Sequence, residues 1–355
     1  MQILNLARKA IFSPSKIPHA AKIELRSLRE ILRNGLPDIM LQFLGGIGDE
    51  LLLTAVAHEL KKRNPDLRIW QVSHSAELLY QNPDYSKVFD WNYWSLRYSK
   101  MLNGRRCHLS YSEQIVRAEL EKPPARHIIA ELCRKAGVKG EIAIRPYLFL
   151  TKDEKKGGRL ADSQIVLHCA GEGSYENVMR NKIWPKDKFE SLVRMIKEER
   201  IGGYKWEIVQ LGSDRDPPLA GCLDLRGKTS LRQTAAVISQ SDVFIGTSGF
   251  LAHLARAVDT RSVVIYGGRE HSYQSGYLCN ENLNSFIECA PCWRWNGCDH
   301  DRECMKKIQA TDVLNAFQRL SERRNVPLET ETILIDAINS VEARKVFKKT
   351  CSIQS

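Results

Sequence analysis

Ser241-Asp-Val-Phe-Ile-Gly-Thr-Ser-Gly-Phe-Leu-Ala-His-Leu-Ala255 is the stretch from which the fold follows. Val243, Phe244 and Ile245 form a short apolar run suited to a strand buried on both faces. Gly246 to Gly249 make a small-residue turn, and Leu251, Leu254 and Ala255 then repeat at helical spacing. The order is strand, turn, helix. Thr247 and Ser248 occupy the positions expected of helix N-caps. Gly249 and Phe250 complete the turn, so the free N–H groups of the first helical turn and the positive end of its dipole offer a seat for phosphate or diphosphate. An ordinary strand-to-helix connection without a ligand explains the same residues equally well.

A second stretch has the same form. Ile39-Met-Leu-Gln-Phe-Leu-Gly-Gly-Ile-Gly-Asp-Glu-Leu-Leu-Leu-Thr-Ala55 begins as a strand, passes Gly45, Gly46 and Gly48, and becomes a helix bearing Leu51, Leu52, Ala55, Val56 and Leu60. Asp49 falls in the first turn of that helix. Gly46 and Gly48 let a substrate approach the backbone, and a carboxylate at the mouth of a parallel strand is placed to act on it. A plain capping role for Asp49 is the competing explanation. The glycines fit neither a dinucleotide fingerprint nor a Walker loop.

In order along the chain, these segments resemble glycosyltransferase family 9, the bacterial heptosyltransferase-like family. The matching residues are Gly48 to Thr54, Leu60-Lys61 and Asn64-Pro65, then Leu79 with Asn82-Pro83, and Lys182-Ile183-Trp184-Pro185 with Phe189. Asp224 to Leu231 and Ser248-Gly249 with His253-Leu254-Ala255 complete the set, which runs over roughly residues 39 to 310. The resemblance implies an α/β protein of two Rossmann-like domains facing across a cleft, the GT-B arrangement. It also implies a glycosyltransferase moving a sugar, heptose from ADP-heptose in the best-known members, onto lipopolysaccharide core or another cell-surface glycan.

Length and charge agree with this outline. The 355 residues suffice for two domains of ordinary size. Lys+Arg 53 against Asp+Glu 42 leave a net charge of +11, which favours anionic partners such as nucleotide phosphates or acidic glycolipids. No module typical of nucleic-acid binding is present, so no nucleic-acid partner is expected. Neither an apolar run long enough to span a bilayer nor a signal-peptide pattern occurs, and a cytoplasmic location is expected.

Residues 1–38 read as a basic helical extension, with Leu25, Leu28 and Leu32 on one face. A helix of this kind suits peripheral contact with the inner face of the cytoplasmic membrane, but an ordinary packed or oligomer-forming helix is the explanation the residues favour. Residues 39–155 read as an acceptor-binding domain. The aromatic and basic Trp91 to Tyr98 segment is a candidate acceptor surface, followed by Lys100, Arg105, Arg106 and His108 in a polar loop. Thr151 to Gly158 is the expected interdomain linker. Residues 156–325 form the expected nucleotide-sugar domain, and 326–355 a C-terminal helix returning to the first domain.

Within the second domain, Asp214 or Asp216, after the Trp206 to Leu211 strand, is a candidate for ribose hydroxyls. The loop after the Ser262 to Tyr266 strand places Arg269 and His271 near the donor. Cys289, Cys292, Cys298 and Cys304 are spaced for a structural Zn or Fe site, with disulfides or free thiols as alternatives.

The resemblance adds roles. It places Lys182 against the donor phosphates and makes Asp49 the general base of an inverting reaction without a catalytic metal. Family members place aspartate where this chain has Thr247, and a proline in the loop where Cys169 and Ala170 stand. Some related protein heptosyltransferases bind iron at a comparable cysteine cluster. A protein O-heptosyltransferase, an inactive nucleotide-sugar-binding homologue and a sugar epimerase or phosphorylase are the alternatives.

Overall fold

The structure is a computed structural model that describes residues 19–43, 45–115, 119–171 and 179–335. Helix α1 (His19–Asn34) precedes strand β1 (Ile39–Phe43), whose five residues are all buried, as its apolar run requires. Helix α2 (Ile47–Arg63) follows, then β2 (Ile69–Ser73), β3 (Lys87–Asp90) and β4 (Arg106–Leu109). All four pair in parallel in the order β3-β2-β1-β4. The hairpin β5 (Glu113–Ile115) and β6 (Leu120–Lys122), helix α3 (Ile128–Lys135) and strand β7 (Gly140–Ala143) complete this half.

Helix α4 (Lys152–Gly157) occupies the expected linker, capped by Thr151 through Glu154. The second sheet contains β8 (Gln164–Leu167), β9 (Glu207–Gln210), β10 (Leu223–Asp224), β11 (Val243–Thr247), β12 (Ser262–Gly267) and β13 (Glu281–Asn284), all parallel, in the order β10-β9-β8-β11-β12-β13. Around it lie α5 (Lys186–Glu198), α6 (Leu231–Ser239), α7 (Phe250–Ala257), the short α8 (Ser272–Ser275), α9 (Glu303–Lys307) and α10 (Ala310–Glu322).

Each sheet reverses its strand order once, between β1 and β4 in the first and between β8 and β11 in the second. Ligands of open α/β sheets collect at such switch points, outside the carboxyl ends of the strands. The turns entering α2 and α7 lie at these two points. They also meet: a Cβ added to Gly48 would come within 3.3 Å of the Phe250 Cα.

The seam between the halves is mainly apolar. Leu51, Leu78 and Leu148 share one buried cluster with Leu251, Ala252, Leu254 and Tyr266. Each fully buried leucine contributes about 1.5–3 kcal/mol, whereas an exposed ion pair adds at most about 1 kcal/mol. Arg232 of α6 also reaches across, donating to the carbonyls of Glu77 (3.0 Å) and Phe149 (2.9 Å) and to Glu154 (2.8 Å).

Several expectations change here. Lys100 to Arg105 is a 3-10 helix, and Arg106 to Leu109 is the sheet-paired strand β4 rather than a polar loop. Apolar Cys107 and Leu109 alternate with their neighbours and pay for burial there. At the C-terminal end, Thr332–Ile335 forms an antiparallel strand β14 against β7 where a helix was expected. The β-branched Thr332, Ile333 and Ile335 favour that pairing. The chain thus returns to the first half by strand addition, and residues 336–355 of the helix expected over 326–355 lie outside the described residues. In α1, Ile31 and Ser27 are buried, Leu25 and Leu28 are half-buried and Leu32 is 77% exposed, so the leucine stripe packs only in part.

Candidate active site

The halves enclose a cleft of about 2620 Å³. Single small-molecule pockets seldom exceed about 1,000 Å³, so this one has room for two substrates. Gly46, Gly48, Asp49, Lys182, Asp214, Thr247, Ser248, Gly249 and Phe250 all line it.

Asp49 lies half-buried in the first turn of α2. The Gly46 N–H donates to its Oδ2 (2.8 Å) and the Tyr111 hydroxyl to its Oδ1 (2.7 Å). The capping role and the cleft-facing role therefore belong to one side chain. Gly45 permits the curl, because a Cβ there would stand 2.2 Å from Asp49 Oδ2. Burial pushes the carboxyl up to about 6, against the lowering effect of its bonds to Tyr111 and Gly46; Glu121 adds to the rise and Lys182 opposes it. A carboxylate with this proton affinity is tuned for proton transfer near neutral pH.

Across the cleft, β11 continues through Thr247, which is buried, and Gly249 rather than Thr247 or Ser248 is the N-cap of α7. Its φ of +148° and ψ of −159° belong to a region essentially restricted to glycine, and this sharp corner lets the strand run two residues further than the turn chemistry suggested. No side chain caps the helix, and its first residues, Gly249 to Leu251, line the cleft.

Lys182 ends a 3-10 turn (Arg180–Lys182), and its Nζ lies 2.8 Å from Glu270 Oε1. Glu270 follows β12, between the two residues named from the sequence, and is buried on the cleft wall. Burial opposes its ionisation, but the charges of Lys182 and Arg269 overcome this and hold the carboxyl at about 2. Arg269 is buried as well, over the Trp293 ring at 5.0 Å, and bridges Glu270 (3.4 Å) and Glu121 of the first half (3.3 Å). His271 is not among the residues lining the cleft and meets the rings of Tyr273 and Phe286 edge-on.

Asp214 is exposed in the cleft. Asp216 is buried but also lines the cleft, accepts from the Ser213 N–H (2.6 Å) and lies 3.5 Å from His168 Nε2. His253 lines the cleft with Nδ1 2.7 Å from the Tyr277 hydroxyl, and burial lowers its imidazole to about 4. Cys169 and Ala170 are buried at the end of β8, and the rest of their loop over 172–178 lies outside the described residues.

On the first half's wall, His74 stacks on Trp91 at 3.8 Å. Buried Glu50, next to Asp49, fixes that ring through Nδ1 (2.8 Å) and the His74 N–H (3.0 Å). The sequence pointed to Trp91 but not to this pinning, nor to Tyr111, Glu121 or Glu270. All follow the carboxyl end of a strand or sit in the adjoining hairpin, which is the signal that would have found them.

The cysteine segment crosses between the halves. Trp293 O accepts from Glu121 N (3.0 Å), Trp295 N donates to Glu119 O (2.8 Å), and Asn181 N donates to Trp295 O (3.2 Å). Cys289 and Cys304 each lie within electrostatic range of Cys292 and Cys298, and all four thiols are free. Among the described residues, however, no three His, Cys, Asp or Glu side chains come together as metal ligands would.

Residues 151–297 match the model of glycosyltransferase family 9 (heptosyltransferase). The chain is 24% identical over 160 residues to lipopolysaccharide heptosyltransferase 3 of Escherichia coli, a match covering 39% of this chain and 42% of that protein. The chain thus spans about two fifths of the length of that curated relative. Among solved structures it resembles E. coli ADP-heptose lipopolysaccharide heptosyltransferase II (TM-score 0.59, 15% identity, 81% of this chain and 100% of the other). It also resembles the iron-containing dodecameric glycosyltransferase TibC of enterotoxigenic E. coli (TM-score 0.60, 16% identity, 81% and 76%). The expected GT-B arrangement is the fold of this chain.

Proposed function

We propose that this chain, similar to glycosyltransferase family 9 over residues 151–297, is an inverting glycosyltransferase that uses a nucleotide-sugar, with ADP-heptose the first candidate. The observation that carries this reading is the opposition of Asp49, in the first turn of α2, to the uncapped N-terminus of α7 and the ammonium of Lys182 around one cleft. Asp49 takes the proton of an acceptor hydroxyl as that oxygen bonds to the anomeric carbon. The bond from that carbon to the phosphate oxygen breaks, and the nucleoside diphosphate leaves with the electron pair. Lys182 and the α7 N–H groups meet the charge on the departing diphosphate, so the reaction needs no catalytic metal.

The acceptor, a lipopolysaccharide or other cell-surface glycan, enters along the wall of His74 and Trp91. Peripheral membrane contact is part of the proposal: Arg29 and Arg33 of α1 are exposed beside Leu32, and Lys22 is exposed nearer the start of the helix. Among the described residues no helix is long and apolar enough to cross a membrane. A protein acceptor, one of the alternatives that the family resemblance of the sequence implies, is the second reading.

The test pairs thermal-shift screening of ADP-, UDP- and GDP-sugars with turnover on lipopolysaccharide core and peptide acceptors. Stabilisation by an ADP-sugar and transfer to a glycan are expected. Absence of nucleotide binding would overturn the reading, and transfer to peptide alone would select the second.

A further inference from the structure

Glu270 is a charged side chain that the proposed proton transfer and leaving-group steps do not use. It is 5% exposed, stands on the cleft wall beside the donor seat, and is only partly saturated. Its Oε1 receives Lys182 at 2.8 Å, while Oε2 has Arg269 only at 3.4 Å. Ser248 lies against the same carboxyl without a well-formed hydrogen bond. A carboxylate offers about four lone-pair sites, so Glu270 keeps acceptor capacity directed at the cleft.

Burying such a group is costly unless something binds it. Here the structure invests two cations in keeping it charged. It reaches this place because β12 is the neighbour of β11, so the loop carrying Glu270 lies alongside the turn that enters α7. Thr247 and Ser248 in that turn bear only neutral hydroxyls, and Glu270 supplies the anionic acceptor that a polyhydroxylated ligand needs at this spot.

We propose that Glu270 is a specificity-determining residue that accepts hydrogen bonds from hydroxyls of the sugar carried on the donor diphosphate, while Lys182 is shared between its carboxylate and the phosphates. Arg269 acts as a positioning residue: tied to Glu121 of the first half, it fixes the carboxylate relative to the Asp49 side. The inference rests on the glycosyltransferase reading and extends it to the recognition of the sugar itself.

The experiment measures binding of ADP and of ADP-heptose by calorimetry to the full-length wild type, E270Q and E270D, with unfolding followed by circular dichroism. Wild type should bind ADP-heptose more tightly than ADP. E270Q should lose about tenfold or more in ADP-heptose affinity, the scale of a hydrogen bond to a charged group, while its ADP affinity stays within threefold or rises as Lys182 is released. E270D, which retains the charge, should recover part of the preference. Equal preference for ADP-heptose over ADP in wild type and E270Q would overturn the role of Glu270. Parallel loss of both ligands in a folded E270Q would overturn it too, because a purely structural residue behaves that way. Failure of wild type to bind either ligand would instead overturn the reading beneath it.

Discussion

The turns β1–α2 and β11–α7 are built alike and charged oppositely. Both leave a fully buried parallel strand at a switch point, both turn on glycine, and both start a helix at the cleft. At β1–α2 a carboxylate curls back over the helix start and cancels the local positive end. At β11–α7 no side chain covers it. The reasons for glycine differ too: Gly45 is needed for the space occupied by Asp49 Oδ2, Gly249 for its dihedral angles. One backbone plan thus yields a proton acceptor on one wall and an anion seat on the other. The difference is made by one side chain.

The sharpest break of this pairing is Asp49→Asn. It keeps the shape of the turn but removes the base, so kcat should fall by about 10²–10⁴ while ADP affinity stays within threefold. Steady-state kinetics beside calorimetry read both, and retained turnover would end the base assignment.

The two glycines come next. Gly45→Ala should displace Asp49 and lower kcat roughly tenfold or more, with nucleotide binding spared. Gly249→Ala should do the reverse. Its Cβ would meet nothing within 4 Å, so the cost is backbone strain of about 1–3 kcal/mol, read as a lower Tm together with weaker ADP binding. If both variants lost the same function, the division of labour between the turns would be wrong.

The smallest effect is the pH profile. Asp49 must be deprotonated to act and its carboxyl is pushed up to about 6, so kcat/KM should rise with pH up to about 6 and level off above. Donation from the Tyr111 hydroxyl lowers that value, so Tyr111→Phe should move the inflection upward. A flat profile between pH 5 and 8 would place the base elsewhere.

Local pattern made both turns legible in the sequence, because an apolar run, small residues and helical spacing are properties of contiguous residues. It identified Asp49 and the Thr247 to Phe250 seat as cleft residues, whereas Lys182 came from the family resemblance. The cap moved from Thr247 to Gly249 because strand pairing with β12 extended through Thr247, which is a tertiary effect. Glu270 stayed hidden for a related reason. Its significance lies in Lys182 and Arg269, and the partner of Arg269 is Glu121 in the other half; no window of sequence contains that set. The strand at Thr332–Ile335 likewise depends on an edge offered by Gly140–Ala143.

The Trp293–Trp295 strap is stitched by backbone hydrogen bonds to both halves, on the Tyr111 flank of β1. His74 and Trp91 lie past β2 and β3, on the opposite flank. Arg232 ties that flank too, through the carbonyl of Glu77 in the segment that follows His74 (3.0 Å), so the two halves are fastened to each other on both sides of the cleft.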